Sequence, residues 1–147
     1  ETMKVLLGTD PGVKTGLAIA EGGKLVRIET VDILDALDEI HAYANEARYY
    51  LRNVTIYIED PSLNKPVFDR GQHGRKAMNI AQKVGSNKRD AQILIAKCER
   101  AGVKVVRLKP VAGPFTKMTA EFFKKQTGWT GRTSQHARDA AGLILGR

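Results

Sequence analysis

The sequence predicts an α/β domain built on a mixed five-stranded sheet that carries helices on both of its faces. Three strand patterns come first, and a Gly22-Gly23 pair separates the second from the third. Helical and strand patterns then alternate, and two helical patterns end the sequence. A meander followed by helix-linked strands produces a sheet with both antiparallel and parallel neighbours.

Five segments have the apolar runs and the turn boundaries of strands. The first, KVLLGTD, is a nearly continuous apolar run that ends at Asp10. GLAIAEGGKLVRIETV predicts two strands joined by the Gly22-Gly23 turn of a hairpin. VTIYIED, which Pro61 closes, and VKVVRLKP supply the fourth and fifth strands.

The first two helices follow from apolar spacing. Asp32 can cap the first helix. Its apolar residues recur at steps of three and four, on one face: Ile33, Leu37, Ile40, Ala44, Ala47 and Leu51. The second helix is expected over residues 76–101, where Gly85-Ser86-Asn87 marks either a break or a close approach by a neighbour.

Two shorter helices are predicted after the fifth strand. TKMTAEFFKKQTG has Thr116 as a cap and Gly128 as a stop, and TSQHARDAAGLILG has Thr133 as its cap. The complete order is therefore βββαβαβαα. This order matches the RNase H-like fold.

Composition restricts the class of protein. The 147 residues are the size of one domain, expected over residues 3–147, and Glu1 and Thr2 before Met3 resemble a cloning remnant. The single cysteine, Cys98, excludes a disulfide framework and a thiolate zinc site, and it fits a reducing cytosol. No apolar run is long enough to span a membrane, and no signal peptide is recognisable.

Charge is distributed unevenly along the chain. Residues 1–59 hold six Lys/Arg and ten Asp/Glu, whereas residues 60–147 hold eighteen Lys/Arg and six Asp/Glu, a net charge of +12. A solvated basic surface is the simpler interpretation. We favour a nucleic-acid partner, because phosphate binding needs such a concentration of positive charge.

Four residues that could carry chemistry come together if this fold is correct. Asp10 ends the first strand and Glu59 ends the fourth, and these strands are neighbours in the fold. His136 and Asp139 are three residues apart and share one face of the last helix, where Ala140, Ala141 and Gly142 allow close approach to the sheet. Converging carboxylates favour one or two bound Mg²⁺ or Mn²⁺ ions, which can hydrolyse a phosphodiester.

Each of these residues also has a simpler interpretation. Asp10 before Pro11-Gly12 can be a turn former, Glu59 can be an ordinary end of a strand, and His136 can be a solvated histidine near a helix start. The functional interpretation depends on all four meeting. His136 could then be a metal ligand or a general base.

Three motifs in order resemble the RuvC family of Holliday-junction resolvases. They are GTDPGVKTGLAI, IYIEDP and HARDAAGLILG, and the resemblance covers residues 4–146. It implies a homodimeric endonuclease that uses Mg²⁺ or Mn²⁺, two ions in all, to nick opposed strands of a four-way DNA junction. Asp10, Glu59, His136 and Asp139 would form the metal and catalytic set. Lys109 and Lys117 match the places of phosphate-holding lysines, although surface solubility explains them equally well.

The loop after Glu59 departs from the family pattern. Asp60 adds an acid beside the site, and Phe68 takes the place of the aromatic wedge of the family, with core packing as its alternative. We also predict DNA contacts from the loop and the helix start that follows it, at Arg70, Arg75 and Lys76. Trp129 is predicted to anchor its own loop rather than to stack on a base.

A compact chain is consistent with a bacteriophage member of the family, which would act in the host cytoplasm and on a broader range of branched DNA. Residues 78–101 are the predicted dimer interface, because their apolar side chains spread over more than one helix face.

Three other functions compete with this one. Actin-like and sugar-kinase proteins open with a similar phosphate-binding hairpin, but they need two such domains around the nucleotide. RNase H-like nucleases that act on ribosomal RNA precursors usually carry Tyr where Pro11 stands. A metal-free DNA-binding module with a dead site is disfavoured because all four site residues are present.

Overall fold

The computed structural model describes residues 3–50, 53–63, 75–110 and 116–147. Within these ranges the elements follow the predicted order. The strands are β1 (Lys4–Asp10), β2 (Thr15–Glu21), β3 (Lys24–Val31), β4 (Asn53–Glu59) and β5 (Lys104–Leu108). The helices are α1 (Ile33–Tyr50), α2 (Arg75–Ala101), α3 (Ala120–Thr127) and α4 (Gln135–Gly142), and a short 3₁₀ helix, Pro61–Leu63, follows β4.

The described strands form one sheet in the order β3-β2-β1-β4-β5. β2 is antiparallel to β1 and β3, whereas β4 is parallel to both β1 and β5. The β2–β3 hairpin turns at Gly22 and Gly23, whose φ angles of 59° and 83° suit glycine. The predicted mixed five-stranded sheet is confirmed.

Helices cover both faces of the sheet, as predicted. α1 and α2 pack on one face around the first core: Val5, Leu7, Leu17, Ile19, Ala36, Ile40, Val54, Ile56, Ile58, Leu94 and Cys98. The segment from Met118 through α3 and α4 packs on the other face around the second core: Leu6, Ala18, Ala20, Met118, Phe123, Ala140, Ala141 and Ile144. Strand residues therefore alternate between two buried faces, which explains why β1 and β2 are apolar almost throughout.

α4 lies with its backbone directly against the sheet. A Cβ atom placed on Gly8 of β1 would lie 2.2 Å from the carbonyl oxygen of Ala140. One placed on Gly16 of β2 would lie 1.9 Å from the carbonyl oxygen of His136. Only glycine at these two positions allows the helix to come this close, and Ala140 adds a small residue on the helix side.

Helix ends are partly as predicted. Asp32 caps α1, since its Oδ1 accepts a hydrogen bond of 2.8 Å from the Asp35 amide, and Gly128 ends α3 with φ 73°. The prediction of Thr116 as the cap of α3 is wrong, because Thr119 accepts the bond from Phe122 N. Thr133 is likewise wrong for α4, where Ser134 accepts from Ala137 N at 3.1 Å.

α2 is a continuous helix through Gly85-Ser86-Asn87, so the predicted break is wrong. The described residues show no close approach either, because a Cβ on Gly85 would have no described atom within 4 Å. Gly85 is thus an ordinary exposed position of α2. Leu51, predicted for the apolar face of α1, lies outside the described residues.

Two further observations concern the chain as a whole. Cys98 is buried in the first core, and this burial raises the pKa of its thiol to about 12, so it acts as a small core residue. Among the described helices, none combines the length and the hydrophobicity that crossing a membrane requires.

Replacing Gly8 by Ala should destabilise the protein, because the new methyl group collides with the α4 backbone. We expect a loss of about 1–3 kcal/mol in the free energy of unfolding, measured by urea denaturation. Gly85→Ala is the matched control, since it adds the same methyl group to an open helical position and should stabilise by about 0.5–1 kcal/mol. Equal effects of the two substitutions would contradict the close packing of α4.

Candidate active site

Asp10 and Glu59 are the last residues of two neighbouring parallel strands. The β1–β4 register pairs Thr9 with Ile58, so the next residue of each strand lies beside the other. Ile58 belongs to the first core, and side chains alternate along a strand. Asp10 and Glu59 therefore both point to the face that α4 covers. Their carboxyl groups lie close enough for each to affect the pKa of the other.

α4 brings His136 and Asp139 to the same edge of the sheet. The His136 carbonyl rests over Gly16, which pairs with Asp10 across the β1–β2 register. As a result, Nδ1 of His136 lies 3.5 Å from Oδ2 of Asp10. The start of α4 is tied to β3 by a hydrogen bond between the hydroxyl groups of Ser134 and Thr30.

The two strand-end acids are crowded and partly removed from water. Burial, and then the negative charge of Asp139, raise the pKa of Asp10 to about 6. Burial, and then the negative charge of Asp10, raise the pKa of Glu59 to about 7. When both are ionised, the site needs a positive charge between them.

Asp139 is the third acid of this cluster. Its charge raises the pKa of both Asp10 and Glu59, so it lies within electrostatic reach of the two strand-end acids. Its Oδ1 accepts a hydrogen bond of 2.8 Å from Nε2 of the Gln135 side chain, which directs one oxygen along α4. Sequence analysis missed Gln135, although its spacing of four residues from Asp139 is one at which helical side chains interact.

The donor atoms suit a hard divalent cation. Three carboxylates and one imidazole nitrogen are ligands that Mg²⁺ and Mn²⁺ accept. Burial and mutual repulsion raise the pKa values of Asp10 and Glu59, and a bound cation would offset this cost of ionising them. Among the described residues, however, no three His, Cys, Asp or Glu side chains already enclose a position where an ion would be held. The residues therefore fit a cation by chemistry, while a closed coordination shell is not formed.

Lys117 lies within electrostatic reach of these acids. Its positive charge opposes the rise in the pKa of Glu59. Its backbone has φ 50°, a left-handed conformation that is unfavourable for a residue with a Cβ atom. Lys109, the other predicted phosphate-holding lysine, is exposed directly after β5, and its contact with DNA stays a prediction.

The other residues predicted to contact DNA, and the predicted loop anchor Trp129, lie in different parts of the chain. Arg75 and Lys76 are exposed at the start of α2. Phe68 and Arg70 lie outside the described residues. Trp129 packs against the second core, with its indole nitrogen beside Gly131, as expected of a side chain that anchors its loop.

Asp60, the acid next to Glu59 in the sequence, has partners of its own outside the acid cluster. Its side chain is 1% exposed, and its Oδ1 accepts hydrogen bonds from the backbone and the hydroxyl group of Ser62 at 3.0 and 2.7 Å. Its other oxygen is 3.6 Å from the guanidinium of Arg107. Asp60 thus begins the 3₁₀ helix and fixes the chain as it leaves Glu59.

The chain is similar to the solved structure of Thermus thermophilus RuvC, with a TM-score of 0.53 over 96% of this chain and 91% of that one. The two sequences are 19% identical, so the likeness shows the fold alone. No protein-family model and no curated protein matches the sequence. The predicted RNase H-like fold is confirmed.

The stability of the metal-free protein should fall as the pH rises through 6 to 7. The pKa values of Asp10 and Glu59 lie above their ordinary values of 3.8 and 4.5, so the native state binds protons more tightly than the unfolded state. This contribution is complete below about pH 4 and is lost above the native pKa values. Thermal unfolding at pH 5 to 8 in the presence of a chelator measures it.

Glu59→Gln should flatten this pH dependence, because the glutamine cannot ionise. Glu99→Gln, on the exposed surface of α2, is the control and should leave the slope unchanged. A wild-type slope that persists in Glu59→Gln would show that the acids are not crowded.

Proposed function

We propose that this protein is a metal-dependent endonuclease that cuts four-way DNA junctions and related branched DNA. The observation that carries the proposal is the pair of adjacent strand-end acids Asp10 and Glu59, with Asp139 and His136 beside it on α4. An RNase H-like sheet supports this group at the edge where the parallel strands β1 and β4 end. Crowded acids with raised pKa values are typical of sites that bind cations for catalysis.

Asp10, Glu59 and Asp139 would hold Mg²⁺ or Mn²⁺, with His136 as a further ligand or as a general base. Bound there, two such ions supply the positive charge that stabilises the attacking and leaving oxygens of a phosphodiester. Asp10 and Glu59 bind a metal ion only when ionised, and their raised pKa values mean that protons compete with the metal below about pH 7. Lys117, exposed beside Glu59, would bind a non-bridging oxygen of the scissile phosphate.

The choice of DNA rests on charge and on the sequence motifs. Residues 60–147 carry a net charge of +12, and these residues include Lys117 and the exposed Arg75 and Lys76 at the start of α2. The motifs around Asp10, Glu59 and Asp139 resemble those of junction-resolving nucleases. Branched DNA is therefore the substrate class that we favour over RNA.

Two matched nicks in a four-way junction require two active sites related by two-fold symmetry. We propose that the protein acts as a homodimer and that α2 contributes to the interface. Two of its large apolar side chains, Met78 and Ile93, are 61% and 40% exposed.

The protein should nick a synthetic four-way junction when Mg²⁺ or Mn²⁺ is present. Asp10→Asn should slow nicking at least about 100-fold and spare binding, because several kcal/mol of charge stabilisation depend on that carboxylate. Asp35→Asn, which changes an exposed aspartate in the first turn of α1, should nick at the wild-type rate. Denaturing gels of end-labelled junctions measure both.

Four substrates separate the parts of this hypothesis: a junction, a fork, a plain DNA duplex and an RNA duplex. Equal cutting of the three DNA substrates would remove the junction selectivity and leave the nuclease. Preferential cutting of RNA would favour the competing nuclease function. No cutting of any substrate with either metal would exclude both.

Millimolar Mn²⁺ should raise the melting temperature of the wild-type protein at pH 7.5, since the ion binds only the assembled acids. Without metal, Asp10→Asn should melt at a higher temperature than the wild type, because one of the repelling charges is gone. Differential scanning calorimetry measures both shifts. An unchanged wild-type melting temperature, together with no gain in Asp10→Asn, would show that these acids do not form a cation site.

A further inference from the structure

The side chain of Arg138, on α4, is hydrogen-bonded to the segments that precede and follow α3. Its Nε donates to the Met118 carbonyl at 2.8 Å. Its Nη1 donates to the carbonyl and the hydroxyl group of Thr133, at 2.8 and 2.7 Å, and its Nη2 donates to Gln135 Oε1 at 3.2 Å. Each nitrogen of the guanidinium thus has a partner in the described structure.

These partners are all neutral oxygens. The half-buried guanidinium forms no ion pair with the described acids, although Asp139 is the next residue of α4. A planar fork of fixed donors that binds two segments, the one around Met118 and the start of α4 with Thr133 and Gln135, restricts their positions. Arg138 therefore fixes the positions of its neighbours and does not neutralise a described acid.

One of these segments carries Lys117. Lys117 precedes Met118 and is the one described non-glycine residue with a positive φ, at 50°. Such a conformation persists only when its surroundings impose it. The Met118 side chain is buried in the second core, and the Arg138 bond fixes the Met118 carbonyl. These two contacts restrain the residue that follows Lys117, whose charge reaches Glu59.

The second segment carries Gln135. An amide group can present either its oxygen or its NH₂ group to a neighbour. Because Arg138 donates to Oε1, the NH₂ group of Gln135 is turned towards Asp139 and donates to its Oδ1 at 2.8 Å. Without Arg138 the amide oxygen loses its partner, and the Gln135 side chain is held only by its bond to Asp139.

We propose that Arg138 is a positioning residue that holds Lys117 and Asp139 in place for the reaction. It touches neither the substrate nor the acids themselves and acts through Met118 and Gln135. The inference deepens the proposed nuclease function and rests on it. Its tests include two readouts that do not require cleavage.

The main test is a double-mutant cycle with Lys117. Arg138→Ala should slow single-turnover nicking of the junction about 10- to 100-fold, the effect of a misplaced catalytic group. In a Lys117→Ala background the same substitution should slow nicking much less, since the Lys117 side chain that Arg138 positions is already absent. A second cycle with Gln135→Ala tests the other segment in the same way.

Arg132→Ala is the matched control, because it removes the same charge from an exposed side chain nearby. The factor by which Arg132→Ala slows nicking should be the same in the wild type and in the Lys117→Ala background. Arg138→Lys keeps the charge and the aliphatic stem but loses the fork, so it should be nearly as slow as Arg138→Ala. It also serves if Arg138→Ala does not fold.

Two measurements in a chelator are independent of activity. The affinity for the uncut junction should fall by the same factor in Lys117→Ala, in Arg138→Ala and in the double variant. The NMR order parameter of the Lys117 amide should be about 0.85 in the wild type and below about 0.6 in Arg138→Ala.

Full activity of Arg138→Lys, or effects of Arg138→Ala and Lys117→Ala that simply multiply, would overturn the positioning role. So would an unchanged order parameter at Lys117. If the wild type cuts nothing, the proposed nuclease function fails instead. The binding cycle and the order parameter then still decide whether Arg138 holds Lys117.

Discussion

The contact between the α4 backbone and two strand glycines is the constraint on which the site depends. Carbonyl oxygens of α4 lie where a Cβ atom of Gly8 or Gly16 would be. With no side chains in between, the short carboxylate of Asp139 and the ring of His136 can reach the end of β1. A helix held a few ångströms higher by ordinary side chains could not bring them to Asp10.

That close packing is also what makes the site electrostatically unfavourable. Asp10 and Glu59 lie side by side under α4, partly buried, and their pKa values rise to about 6 and 7. The rest of the fold must stabilise this arrangement. Two apolar cores on opposite faces of the sheet supply the burial, at about 1.5–3 kcal/mol for each large side chain, and the bond between Ser134 and Thr30 fixes the start of α4.

Much of the fold follows from local patterns. Apolar runs, the Gly22-Gly23 turn, the Asp32 cap and the Gly128 stop each depend on a few adjacent residues, and each is as predicted. The two wrong caps have a common cause: several Ser and Thr residues precede each helix, and only the hydrogen bond to an amide of the first turn selects among them. At Gly85 the local sequence predicted a break that is not there, because a long helix tolerates a single glycine.

By itself, the sequence determined the order of the elements, the concentration of positive charge after residue 59, and the three acids and one histidine that chemistry would need. The alternating pattern of β4 places Glu59 and Asp60 on opposite faces of the sheet. The tertiary structure decided that α4 covers the face to which Glu59 belongs. It also decided the partners of Arg138, which lie up to twenty residues away along the chain. Such contacts depend on how α4 packs against the segment around Met118, and the residues adjacent to Arg138 in the sequence do not specify that packing.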